Sequence, residues 1–191
     1  KPDSPYKTIE ELVAAAKEKG NLKASTNGNK ASNHTAAQLL AKSAGFKYKA
    51  IPYGGTADQL LALRQGEVDF TCAKVADVAK LVKGDKPELR VLAVFNTKRD
   101  PELPNVPTLG EKGLYPEWYG SARALVAPKG TKPEVIQYYV EAFKKTMQDP
   151  AVIEAHKKAG MALDFKDNKE LGDLIKAQDK FARDVVNDLY K

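Results

Sequence analysis

Cysteine and histidine are nearly absent from this chain of 191 residues: Cys72 stands alone, with two histidines, His34 and His156. A single cysteine excludes an internal disulfide and a thiolate metal cluster. The histidines lie far apart with no HExxH-like spacing, so a zinc site is not expected, nor is any cofactor. No apolar run approaches the length of a membrane span, and the amino end carries no signal-peptide core. The chain opens at Lys1 without Met, as a mature or shortened form does. A long basic block is also missing. Net charge is +6 and the isoelectric point about 9.2, but lysines are scattered among acids with no interleaved aromatics. That pattern is a solvated basic surface rather than a nucleic-acid face. No nucleophile–base pair and no GxxxxGKT loop is present, so no enzymatic reaction is implied.

What is present describes a globular protein. Hydrophobic residues make up 42% and charged residues 29%, enough for one generous domain or one and a half small ones. Thr8-Ile9-Glu10-Glu11 is a capping box, followed by Ile9, Leu12, Val13 and Ala16 at helical spacing, with Gly20 as the stop. Leu22–Ser25 reads as a strand, and a helix follows from about Ser32 to Gly45. Phe46–Ile51 alternates as a second strand and enters Tyr53-Gly54-Gly55-Thr56, with Thr56 to Gln59 expected to cap the next helix. Val68–Cys72 is a third strand, and Val75, Val78, Leu81 and Val82 mark the helix after it. Leu89–Phe95, apolar but for Arg90, reads as a strand covered on both faces. Repeated β-α units with short turns predict an α/β fold with a doubly wound, mostly parallel sheet.

Composition shifts after residue 99. Pro101, Pro104 and Pro107 space a return loop over 99–120 that ends in a second capping box, Thr108-Leu109-Gly110-Glu111. A strand-like run from Ala122 to Ala127 follows. Beyond it the chain is nearly all helix. Thr131-Lys132-Pro133-Glu134 opens one helix, Asp149-Pro150 another ending at Gly160, and Asp167 caps the last; Met161–Phe165 reads as a strand between them. These helices have broad apolar faces and almost no strands to cover. The expected division is 1–127, one parallel lobe, and 128–191, a helical segment of a second lobe whose early strands precede Lys1.

The stretch Ala24-Ser25-Thr26-Asn27-Gly28-Asn29-Lys30-Ala31-Ser32-Asn33-His34 draws the eye for function. It is small, polar and Gly-containing, and it joins a strand to a helix. Such a turn presents unpaired backbone N–H groups and a positive dipole end to an anion. An ordinary helix start capped by Asn29 or Ser32 is the plainer reading. His34 has two open roles, donor to a ligand or packing at the lobe interface. Asp69 reads as structural, and Cys72 as a small buried strand residue. Trp118 and Tyr119 either shape the mouth of a cleft or fill core.

Ser-Pro-Tyr-Lys-Thr (4–8), the loop ending in His34, Ile51-Pro52-Tyr53-Gly54-Gly55 and Gly66-Glu67-Val68-Asp69 recur together in one group of proteins. So do Leu92-Ala93-Val94 with Arg99, Leu103-Pro104-Asn105-Val106-Pro107-Thr108-Leu109, and Ala127-Pro128-Lys129-Gly130-Thr131. Along its whole length the chain resembles the extracytoplasmic solute-binding proteins of tripartite tricarboxylate transporters, the TctC or Bug family. The resemblance implies a type II periplasmic binding protein fold, two lobes hinged around a cleft like a flytrap. It implies capture of a di- or tricarboxylate or related organic acid, delivery to membrane permease subunits, and a periplasmic or extracytoplasmic location. It carries over Thr26, Asn27, Gly28, Ala31, Ser32 and His34 from the first turn, Gly54, Gly55 and Thr56 from the second, and Cys72 and Ala73 from the third as ligand-binding residues. One departure stands out: a Gly-Ser pair usual before the helix reads Lys30-Ala31 here. A shortened form also leaves a dimer or lobe exchange open. The alternative reading is the effector-sensing domain of a transcription regulator, which shares the fold.

Overall fold

The computed structural model describes residues 1–161 and 163–190. The chain divides into two compact units, Lys1–Ser121 and Ala122–Lys191.

The first unit is built on three parallel strands: β1 (Lys23–Thr26), β2 (Lys49–Pro52) and β3 (Phe70–Thr71). Their order is β2-β1-β3, with Ala24 opposite Ala50 and Phe70, and Ser25 opposite Ile51 and Thr71. Helix α1 (Ile9–Lys19) begins at the expected capping box: Glu11 N–H donates to Thr8 Oγ1 at 3.2 Å, and Thr8 N–H to Glu11 Oε2 at 3.3 Å. Ile9, Leu12, Val13 and Ala16, one helical face, are buried, as the spacing required. Helices α2 (Ser32–Ala44) and α3 (Thr56–Gln65) follow β1 and β2, and each ends in a left-handed glycine, Gly45 at φ 71° and Gly66 at φ 82°. That conformation is nearly free only for glycine.

The main core joins α1, α2 and the sheet. Phe46, Tyr48 and Phe70 meet edge to face, with Phe46 and Phe70 centroids 6.2 Å apart. A smaller core of Leu60, Leu63, Val68, Val78 and Leu89 lies under α3. Asp69 has the structural role expected of it: its Oδ2 accepts from Lys23 N–H at 2.7 Å and ties the start of β3 to β1.

Several expected elements differ. The helix after β3 is only α4 (Val75–Val78). The run Leu89–Phe95 is not a strand; its one ladder contact is a parallel bridge between Val94 and Thr108. Val94 N–H donates to Pro107 C=O and Leu109 N–H to Val94 C=O, at 3.0 and 2.9 Å. Pro107 has no N–H with which to extend that ladder, so the run packs by side chains instead. At Thr108, Glu111 N–H donates to Thr108 Oγ1 at 3.0 Å, but turns follow rather than a helix. Glu111 also receives Arg99 in a forked pair, with Nη2 to Oε2 at 2.7 Å.

The second unit comprises α5 (Pro133–Gln148), α6 (Pro150–Lys158), α7 (Asn168–Phe181), a π-helical turn (Ala182–Val186) and the short α8 (Asn187–Leu189). Asp167 caps α7 in a complete box with Glu170, and Asp149 caps α6 through Ala151 N–H. The run Ala122–Ala127 forms no strand among the described residues. Part of the expected strand Met161–Phe165 lies outside the described residues, and the rest of it is not assigned as strand. No residue of α5, α6 or α7 is buried, and Tyr138, Tyr139 and Phe143 are 70%, 48% and 45% exposed.

Candidate functional site

Parallel strands end on one edge, so the turns after β1, β2 and β3 open side by side. In open α/β sheets, ligands sit outside such carboxyl ends where the strand order reverses, here between β1 and β3. The first turn brings Thr26, Asn27, Gly28, Ala31, Ser32 and His34 to that edge, the second Gly54, Gly55 and Thr56, and the third Cys72 and Ala73. Tyr53 N–H donates to Thr26 C=O at 2.9 Å and joins the first two turns.

The plainer account of the first turn was a side-chain cap, and the structure lacks one. Ala31 is the residue before α2, and no side chain caps the helix; neither Asn29 nor Ser32 does so. The start of α3 is likewise uncapped. Gly55 precedes it, extended at φ −179°, and the expected capping by Thr56 does not occur because Thr56 is already the first helical residue. The two ends differ in charge. The first turn of α2 holds no acid, whereas α3 carries Asp58, whose carboxylate lies close to Gly54. An anion is therefore better received at α2.

Side chains refine this picture. Thr26 is fully buried and its hydroxyl donates to Gly28 C=O at 3.3 Å, so its one proton is already used within the turn. Asn27 Oδ1 is buried and has no hydrogen-bond partner among the described residues. A buried acceptor of this kind calls for a donor, such as a water or a ligand hydroxyl. Lys30 takes φ 57°, the one non-glycine residue with positive φ among the described residues, and its side chain is exposed. Its N–H donates to His34 Nδ1 at 2.9 Å. A neutral imidazole accepting at Nδ1 holds its proton on Nε2. Burial pushes the His34 pKa below its ordinary value, which favours that neutral form.

The third turn is held from beneath. Gln59, fully buried in the first turn of α3, shares the two protons of Nε2 among Cys72 C=O at 2.7 Å, Ser25 C=O at 3.3 Å and Thr71 Oγ1. Its Oε1 accepts from Asn33 Nδ2 at 2.8 Å. Neither Gln59 nor Asn33 stood out in the sequence. The available signal was a glutamine on the inward face that also carries Leu60 and Leu63. Cys72 lies just beyond β3 rather than within it, half-buried, and desolvation pushes its thiol up to about 12. Tyr119 belongs to this region too: its hydroxyl donates to Ser32 C=O at 3.3 Å, while its ring meets Phe95 at 6.1 Å. Trp118 instead packs over Gly120.

Among the described residues no three of His, Cys, Asp and Glu gather as a metal site, and no helix is long and apolar enough to cross a membrane. The arrangement offers backbone donors and small polar groups.

Known proteins share this fold. In solved structures, a TctC solute-binding protein from Polaromonas, without ligand, is 28% identical and superposes with a TM-score of 0.85, over 97% of this chain and 63% of that one. An R. palustris protein solved with adipate shares the fold at 22% identity and a TM-score of 0.78, over 95% and 62% of the two chains. In sequence, a UPF0065 protein from the gbd 5′ region of Cupriavidus necator is 38% identical over 149 residues, 78% of this chain and 44% of that one. BugT of Bordetella pertussis is 29% identical over 156 residues, 81% and 47% of the two chains. The chain thus spans about half the length of these curated relatives. None of these likenesses favours the transcription-regulator alternative. The family model described as the tripartite tricarboxylate transporter family receptor matches residues 1–189, and the chain belongs to that family, TctC.

Proposed function

We propose that this chain is part of an extracytoplasmic solute-binding protein that captures a small organic carboxylate and passes it to membrane permease subunits. The observation that carries the proposal is the start of α2, which has no side-chain cap and no acid in its first turn. The carboxylate is received by backbone N–H groups of the 26–34 turn, with Gly54, Gly55, Thr56, Cys72 and Ala73 lining the same pocket. Binding, not turnover, is the activity. The solved relatives with adipate and, in a second R. palustris protein, MatC, with malate suggest dicarboxylates as the first ligands to try.

Residues 1–127 then form one ligand-binding lobe. Residues 128–191 return to the other lobe, whose early strands cover the exposed faces of α5, α6 and α7 in the whole protein. Titration calorimetry of the whole protein against malate, adipate and citrate is expected to show one-to-one binding to at least one of them. No heat with any organic anion would sink the proposal.

A further inference from the structure

We infer that Gln59 is a positioning residue that aims the third turn of the site. The claim rests on the carboxylate-binding reading of that edge. Gln59 is buried at 0% exposure, and its amide touches four other residues that arrive from three separate elements. Ser25 is on β1, Asn33 in the first turn of α2, and Thr71 and Cys72 are at the end of β3. Ser25 Oγ also donates to Gln59 C=O at 3.0 Å, and Thr71 Oγ1 to Ser25 C=O at 2.9 Å.

The partners fix which way the amide faces. Around Nε2 lie two carbonyls and a hydroxyl whose own proton goes to Ser25, so every neighbour there accepts. Asn33 Nδ2 donates to the other end. A flipped amide would set carbonyl against carbonyl and donor against donor. The amide is locked.

That lock has a directional consequence. The C=O and the following N–H of a trans peptide point in opposite directions, and no cis peptide occurs in the described residues. Holding Cys72 C=O toward buried Gln59 therefore turns Ala73 N–H away from the interior, toward the open edge beyond the strand ends. Gln59 touches no ligand in this account. It sets the aim of a donor that does.

Gln59→Glu tests this, since the substitution keeps the shape and exchanges the NH2 group for an oxygen. Facing two carbonyls in a buried site, the new carboxyl has a raised pKa and stays protonated, and so still donates, at low pH. The titratable group in contact is Cys72, neutral with its thiol near 12. In the whole protein, the Kd of Gln59→Glu for malate or adipate, divided by that of wild type at the same pH, should be near unity at about pH 5.5. It should rise about tenfold by about pH 8.5, the loss of one hydrogen bond to a now-charged group. Without ligand, the backbone carbonyl resonance of Cys72 and the amide resonance of Ala73 should titrate with the introduced carboxyl. A flat ratio, or resonances that ignore the titration, would overturn the inference. Gln59→Leu, folded by thermal melting yet binding as tightly as wild type, would do so as well. If wild type binds no organic anion, the functional reading falls, and the resonances alone decide the positioning claim.

Discussion

Lys30 N–H and His34 Nδ1 are 2.9 Å apart, a backbone donor reaching forward to the ring that follows it in the first turn of α2. The contact uses one ring nitrogen as an acceptor, and burial lowers the His34 pKa. The folded state thus takes up its proton less readily than the unfolded chain. Its contribution to stability is complete above the unfolded value of about 6.5 and is lost as pH falls below it toward the lower folded value. Thermal midpoints of wild type should drop over that window more than those of His34→Gln. Parallel curves would remove His34 from the account.

Lys30 itself sits at φ 57°, where a Cβ is strained. Lys30→Gly should leave stability unchanged to within about 1 kcal/mol, because relieved strain and added chain entropy oppose each other. Lys30→Val should be less stable by about 1–2 kcal/mol, since a branched side chain tolerates this region worst. Urea unfolding of both variants checks the pair. If Lys30 lends charge to the ligand, Lys30→Gly also weakens binding, and more so at low salt.

The box at Thr8 provides a calibration away from the site. Removing its hydroxyl in Thr8→Ala frees Glu11 N–H and should cost about 1 kcal/mol in denaturant unfolding. Ligand affinity should not change. A shift in Kd would mean that α1 is coupled to the turns in a way its contacts do not show.

Tyr138, Tyr139 and Phe143 leave α5 with a broad exposed apolar face. Such a surface associates or is covered. Sedimentation of the 191-residue chain should show mass rising with concentration, and Tyr139→Lys with Phe143→Glu should suppress it. The whole protein should remain at one mass over the same range. On the proposed reading it should also bind ligand much more tightly than the 191-residue chain, which spans about half the length of its curated relatives.

Local chemistry was legible in the sequence at several helix ends, where neighbours in the chain decide the outcome. The box at Thr8, the glycine stops at Gly45 and Gly66, and the Asp167 cap depend on residues a few positions apart, and all formed. The parallel sheet followed from repeated β-α order, and the structure shows it. Leu89–Phe95 misled because apolarity measures burial, not pairing. Its potential partner contains Pro107, and a ladder needs donors on both sides. Gln59 was invisible for a different reason: its partners lie 34, 26, 12 and 13 positions away, and only the fold brings them to one amide. The uncapped start of α2 was equally hidden, since the turn contains Asn29 and Ser32, either of which could cap a helix.

A helix begun by Ala31 has no internal means of completing its first turn. Whatever anion settles there finishes the secondary structure, in the role a serine or aspartate would otherwise play. On the proposed reading, loading and local order at this helix start are a single equilibrium. Occupancy could be read elsewhere in the molecule as stiffness, without any large displacement of the chain.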